Sequence, residues 1–361
     1  MSQRLIIDAH QDIAWNYFNN GRDFRRSLDE HRHRETDPVR LQRYGRCMLG
    51  LPEEIQAQVA VVCSTIFVSP DWCKMYPDER IVYDTPEEAN RLGNEQLEYY
   101  RRLADQEERI HLIQTEADLD GVLATWTLDK SDDDHRLGLI VLMEGADPIL
   151  EPDQLETWYE RGLRIIGPAW TKTRYAGGSN APGPLTDLGR ELLAAMRSYN
   201  MILDLSHMTP EGLFEALDLY DGPLFASHAN PLHFRPDRTD RNLSDEVIKL
   251  IAQRDGVVGM IPFNLFLLEG WKMGDRKDAV TMERFITTID HVCQITSSAL
   301  HVGLGSDFDG GYGSESAPVG FDSILDLQKI GDELAERGYS EADITAIMSG
   351  NFLRVLRRGL P

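Results

Sequence analysis

Cysteine is scarce in this chain: four in 361 residues, with no C-x-x-C pair among Cys47, Cys63, Cys73 and Cys293. That excludes a disulfide framework and thiolate metal knuckles, and it makes reduced thiols in a cytoplasmic protein the expectation. Cys63 lies inside an apolar run and is expected in the core. Positive charge is also short, with 37 Lys and Arg against 60 Asp and Glu, a formal net charge of −23. So acidic a surface repels phosphate backbones and anionic lipid, so neither nucleic acid nor a membrane is an expected partner. No run approaches the ~18 apolar residues of a membrane span. The opening Met1–Asp8 offers only Leu5-Ile6-Ile7 before an acid, without the apolar core of a secretory leader. Internal repeats and low-complexity tails are missing too.

What is present is enough apolar residue, 42%, to bury a large core. Eight Val-, Ile- and Leu-rich runs lack clean alternation, at about 4–9, 59–67, 138–144, 163–169, 201–206, 223–227, 256–262 and 301–306. Continuous runs of this kind suit parallel strands covered on both faces. Amphipathic stretches with helix-start signals lie between them. Thr85-Pro86-Glu87-Glu88 and Thr209-Pro210-Glu211 supply a cap, a proline at the first helical position and acids at the positive helix end. Ser244-Asp245-Glu246 and the stretch from Thr281 to Ile295 read the same way, and Ser340 to Arg358 reads as a closing helix. Repeated strand-helix alternation predicts an α/β fold, a (β/α)8 TIM-type barrel, with 1–361 forming one barrel domain. Residues 16–55 break the rhythm and predict a long loop insertion after the first strand, a lid over the mouth. The Gly- and Pro-rich stretch from Lys172 to Pro184 predicts a second mouth loop.

Metal-competent residues fall at the C-terminal tips of these runs, where a parallel barrel builds its site. His10 and Asp12 follow the first, Glu144 the third, His207 and His228 two consecutive later ones, and Asp307 the last. His10 and Asp12, at i and i+2 on a strand, share a face and can reach one ion. Glu144 either caps a loop or bridges two ions. His207 and His228 on adjacent tips are candidate zinc ligands. Within Asp307-Phe308-Asp309-Gly310 either aspartate can point into the mouth. Two bridged metals would hold a hydroxide at neutral pH for attack on a carbonyl, with a carboxylate off the metal as proton shuttle. The remaining histidines read as locally hydrogen bonded, with His31 and His33 in a solvated loop. His233, between His228 and Arg241, is a candidate substrate contact, and Trp15 a candidate pocket wall.

The chain resembles the membrane dipeptidase (renal dipeptidase) family, peptidase family M19, over nearly its whole length. The likeness rests on His10-Gln11-Asp12, Glu144-Gly145, Gly162-Leu163-Arg164 and Leu185 to Glu191. It continues through Asp204 to His207, Ser227-His228, Arg241-Asn242-Leu243, Asp307 to Gly310 and Gly350 to Val355. The resemblance implies a zinc dipeptidase with two Zn2+ per chain. His10 and Asp12 would hold one ion, His207 and His228 the other, with Glu144 bridging. It implies Asp307 as general acid/base and Arg241 on the free C-terminal carboxylate of a small dipeptide, often with a D-residue tolerated at the second position. It also implies a homodimer. Manganese or cobalt would accept the same ligands. Where the family has a histidine after the fourth strand, this chain has Trp170, whose indole N–H cannot carry a proton. Trp170 is therefore expected against an altered substrate, and Arg174 or Tyr175 are candidates to replace the histidine. Asp147 stands where many members have another histidine. Two other readings remain: a related binuclear amidohydrolase acting on a non-peptide amide, which Arg241 argues against, and a weakly catalytic metal-containing binding protein, which Asp307 argues against.

Overall fold

A computed structural model describes residues 4–127 and 130–361. The opening residues 1–3 of the sequence lie outside these. Eight parallel strands build the barrel over the described residues: β1 (Ile6–Gln11), β2 (Val59–Phe67), β3 (Leu137–Glu144), β4 (Leu163–Gly167), β5 (Ile202–Asp204), β6 (Leu224–Phe225), β7 (Val258–Met260) and β8 (Val302–Leu304). Pairing runs β6, β5, β4, β3, β2, β1, β8, β7. A single parallel bridge, Ala226 to Val258, joins β6 to β7 and completes the ring. Each predicted run is a strand. They lack alternation because both faces are covered: all nine residues of β2 are buried. A further short strand, Ile110–Leu112, pairs parallel with β3 and was not anticipated. The strands β5 to β8 are only two or three residues long. There the chains approach so closely that a Cβ on Gly259 would lie 1.9 Å from the Ser227 carbonyl oxygen.

Helix starts follow the sequence signals, with one exception. Thr85 and Glu88 form a reciprocal cap on the helix Pro86–Gln106, and Ser244 and Thr281 cap Asp245–Gln253 and Met282–Thr296. Thr209 precedes the helix Pro210–Leu219 but does not cap it. Its hydroxyl instead exchanges hydrogen bonds with Gly183. The expected second mouth loop is an antiparallel hairpin, Ala176–Gly178 with Ala181–Leu185. The closing helix is interrupted by a π turn at Ala346–Gly350.

The insertion after β1 is present, but not as open loop. It folds as short helices, Ile13–Asn20, Leu28–Arg34, Pro38–Tyr44 and Leu51–Gln56. At six to eight residues each, they are too short for a periodic apolar stripe to register. Polar anchors hold them. Arg22 pairs with Glu35 at 2.8 Å and Asp309 at 3.2 Å. Asp309 also accepts the Met48 N–H at 3.0 Å. His31, expected in solvent, is buried on this helical layer and bonds the Asp23 carbonyl at 3.0 Å.

Arg22→Met leaves the buried Asp309 carboxylate without its cation. It should destabilise the protein by about 3–5 kcal/mol in chemical denaturation. A loss below about 1 kcal/mol would mean that solvent screens the pair as it does on a surface.

Candidate active site

The barrel brings the predicted tips together. The His10 Nε2 atom lies 3.9 Å from Asp12 Oδ2, 3.7 Å from Glu144 Oε1 and 3.9 Å from Asp307 Oδ1. Glu144, the last residue of β3, is central: its Oε1 is 3.1 Å from His207 Nε2 and 3.3 Å from His228 Nε2. Those two Nε2 atoms are 3.0 Å apart. His207 and Asp307 sit just past their strands at φ 66° and 53°, left-handed backbone that non-glycine residues rarely adopt. Such strain concentrates at functional sites. Gly310 permits the approach of Asp307: a Cβ there would fall 1.8 Å from Asp307 Oδ1 and 2.9 Å from Asp12 Oδ2. Of the two aspartates in that turn, Asp307 faces the mouth and Asp309 faces the insertion.

The hydrogen bonds behind the ligands fix what the imidazoles present. Ser227 donates its single proton to Asp204 Oδ2 at 2.5 Å. With that proton committed, its oxygen can only accept, and donation from His228 Nδ1 at 2.8 Å and His10 Nδ1 at 3.3 Å fills both lone pairs, beside the Ser206 hydroxyl at 3.2 Å. Ser179 donates to the Asp240 carbonyl at 3.2 Å and so accepts from His207 Nδ1 at 3.0 Å. These tautomers follow from the network rather than from seen hydrogens. Each of the three imidazoles then turns an Nε2 lone pair toward Glu144. Burial pushes all three imidazoles well below their ordinary pKa, and the Arg241 charge adds to this, so they are neutral. Lone pairs facing a carboxylate at 3.1–3.3 Å repel unless a proton or a metal cation lies among them. Nitrogen and oxygen donors in this arrangement fit a divalent transition metal. His10, Glu144 and His228 form one such group, and His10, Asp12 and Asp307 another.

The carboxylates carry the same message. Burial, then the Asp12 charge, raises Glu144 and Asp307 well above the usual carboxylate range. Asp12 is pushed up to about 6 by burial, against a hydrogen bond from Thr65. Sequence reasoning missed the supporting groups: Ser227, Ser179, Thr65, Asp204 and Asp8. Asp8 accepts from Ser306 and Gln11 at 2.5 and 2.8 Å and ties β1 to β8. A readable signal existed for Asp8 and Asp204, since each is an acid directly following two apolar strand residues.

The candidate ligands floor a cavity of about 420 Å3, sized for a small molecule. Arg241 lines it, buried, with Nη2 donating to the His228 carbonyl at 2.8 Å. Its Nε and Nη1 have no partner among the described residues. Burial lowers its pKa to about 10, against Asp307 and Glu144, so it stays charged at neutral pH. Trp170 is also on the wall, its ring 6.3 Å from that of His207. Trp15 is both wall and core. Three expectations are corrected. Tyr175 is buried with its hydroxyl on the Ile149 carbonyl, and Arg174 reaches the Leu150 carbonyl, so neither replaces the missing histidine. His233 stacks on His291 at 4.6 Å, away from the cavity wall. Asp147 is buried, accepting from the Arg174 N–H and the Tyr83 hydroxyl.

The chain is similar to known proteins. An uncharacterized dipeptidase of Schizosaccharomyces pombe is 30% identical over 59% of this chain and 51% of its own length. A dipeptidase of Claviceps purpurea is 29% identical over 56% of this chain and 46% of its own. The chain thus spans about half the length of these curated relatives. A metallo peptidase of Rhodobacter sphaeroides, solved with a phosphinate mimic of L-Ala-D-Ala, superposes with a TM-score of 0.78 at 23% identity over 99% of this chain and 100% of that one. The dipeptidase AC, of peptidase family M19, does so at 0.77 and 23%, covering 99% of each chain. At such identity these two establish the shared barrel fold. Among the described residues, no helix is long and apolar enough to cross a membrane. A model of the membrane dipeptidase family matches residues 1–359, and the chain belongs to that family, peptidase family M19.

Proposed function

We propose that this protein is a metal-dependent dipeptidase, one hydrolase barrel over 1–361, cleaving the peptide bond of dipeptides with a free C-terminal carboxylate. The observation that carries it is the convergence of three imidazole lone pairs on Glu144, at the floor of a cavity that also holds Arg241. His10 and Asp12 would hold one cation and His207 and His228 a second, with the Glu144 carboxylate available to both. Zinc suits these donors. When bound, the pair supplies Lewis acidity to the scissile carbonyl and lowers the pKa of the attacking water.

The chain's own residues do the rest. Ser227 and Ser179 hold the imidazoles in the tautomer that offers Nε2. Asp307 takes the proton from the attacking water at a carboxylate oxygen and passes it to the leaving amine nitrogen. Arg241 offers its two unpartnered N–H sites, Nε and Nη1, to the substrate carboxylate, a pairing the planar guanidinium makes bidentate. The Rhodobacter sphaeroides protein's phosphinate ligand mimics L-Ala-D-Ala, which supports including D-residues at the C-terminal position among the substrates. The free thiols Cys47, Cys63, Cys73 and Cys293 are compatible with a reducing compartment, and we assign the protein to the cytoplasm on that ground.

Chelation should abolish dipeptide hydrolysis, and zinc should restore it with two equivalents bound by elemental analysis. Hydrolysis that persists in chelator counts against the metal reading. Asp307→Asn should retain both metals and lose about 10²–10⁴ in kcat. Normal turnover in that variant would put the proton shuttle elsewhere. Arg241→Met should lower kcat/KM by about 10²-fold or more on free dipeptides but change little on C-terminally amidated ones. Equal losses on both would remove the carboxylate role.

A further inference from the structure

The floor of candidate ligands and Arg241 leave two aromatic walls of the cavity unexplained. One wall follows β2 and β4. Phe67 is paired in register with Glu144, and Trp170 packs edge-on against it at 4.8 Å between ring centroids. Trp15 backs Phe67 at 6.3 Å. The other wall follows β7, four strands around the ring from β3 and so across the mouth. There Phe263 and Phe266 meet edge-on at 5.0 Å, with Leu265 beside them. The Arg241 guanidinium lies 5.0 Å from the Phe266 ring. Arg238 is 5.7 Å from the same ring, but Asp240 stands 3.7 Å from its Nε and offsets its charge.

Building on the dipeptidase reading, we propose that these walls select dipeptides with bulky apolar side chains, each wall reading one residue. A substrate carboxylate on Arg241 lays the C-terminal side chain against Phe266. A scissile carbonyl at Glu144 and His207 sends the N-terminal side chain along Trp170 and Phe67. Trp170 is thus a specificity-determining residue: it exchanges a polar contact for apolar area that only a large side chain covers. Removing apolar surface from water drives the choice, and the rings of Phe67, Trp170, Phe263 and Phe266 themselves offer no charge to an acidic side chain.

The test uses the metal-replete enzyme and kcat/KM for L-Ala-L-Ala, L-Phe-L-Ala, L-Ala-L-Phe, L-Asp-L-Ala and L-Ala-L-Asp. Each phenylalanyl dipeptide should exceed Ala-Ala by about 10–100-fold, and each aspartyl one should fall below it. Trp170→Ala should collapse the Phe-Ala to Ala-Ala ratio and spare the Ala-Phe to Ala-Ala ratio. Phe266→Ala should do the converse, and Trp170→Leu should keep part of the N-terminal preference. Ala-Ala cleaved as well as both phenylalanyl dipeptides overturns the selectivity while the dipeptidase reading stands. Equal loss of both ratios in Trp170→Ala overturns the division between walls. Hydrolysis of none of the five overturns the dipeptidase reading and this proposal with it.

Discussion

The site depends on where three imidazoles keep their protons. Ser227 has one hydrogen and spends it on Asp204, which leaves its oxygen to receive both His10 and His228. Ser179 does the same for His207 by donating to the Asp240 carbonyl. Two hydroxyls therefore decide that three Nε2 atoms arrive at Glu144 as acceptors. Were any of them a donor, it would satisfy Glu144 directly, and the cluster would be a closed hydrogen-bonded core without affinity for a cation. The neutral state imposed by burial completes the condition, since an imidazolium would be a donor at both nitrogens.

This arrangement cannot be reached by one strand or one loop. β1 supplies His10, β3 supplies Glu144, and the residues just past β5 and β6 supply His207 and His228. The short strands β5 to β8 release the chain early, so His207 and Asp307 can take left-handed backbone and turn back over the mouth. A longer strand would have pointed their side chains alternately in and out with no such freedom. The close approach of Gly259 to the Ser227 carbonyl keeps that half of the ring tight enough for a serine after β6 to support a histidine on β1.

The barrel was legible because doubly covered strands leave unmistakable runs of Val, Ile and Leu, and because threonine and serine mark helix starts locally. The candidate ligands were legible because they interrupt those runs at their ends. What escaped the sequence was long-range polar pairing. Asp309 pairs with Arg22 across 287 positions of chain, and Ser306 with Asp8 across 298, and neither spacing has a local signature. The helical insertion escaped for the same reason, being held by such anchors rather than by a periodic apolar face. Arg174 and Tyr175 are not in the cavity wall because the Gly-rich stretch pairs as a hairpin rather than lying as a mouth loop, and both side chains just before it bond the carbonyls of Leu150 and Ile149.

One turn after β8 shows how stability and chemistry are joined. Asp307 and Asp309 are two residues apart, both at positive φ, yet they serve opposite sides. Asp309 is consumed by Arg22 and the Met48 N–H and so fastens the insertion to the barrel. Asp307 is left without a fixed cation partner in the mouth, 3.9 Å from His10. Because only Phe308 separates them, in a turn closed by the Gly310 N–H on the Asp307 carbonyl at 2.9 Å, the Asp309 anchor and the placement of Asp307 share one short stretch of backbone. The insertion therefore acts on the site through position, as the clamp that holds a costly backbone conformation in place. A barrel with the same ligands and no such clamp would gain the freedom to relax that turn, and Asp307 would fall away from the floor it faces.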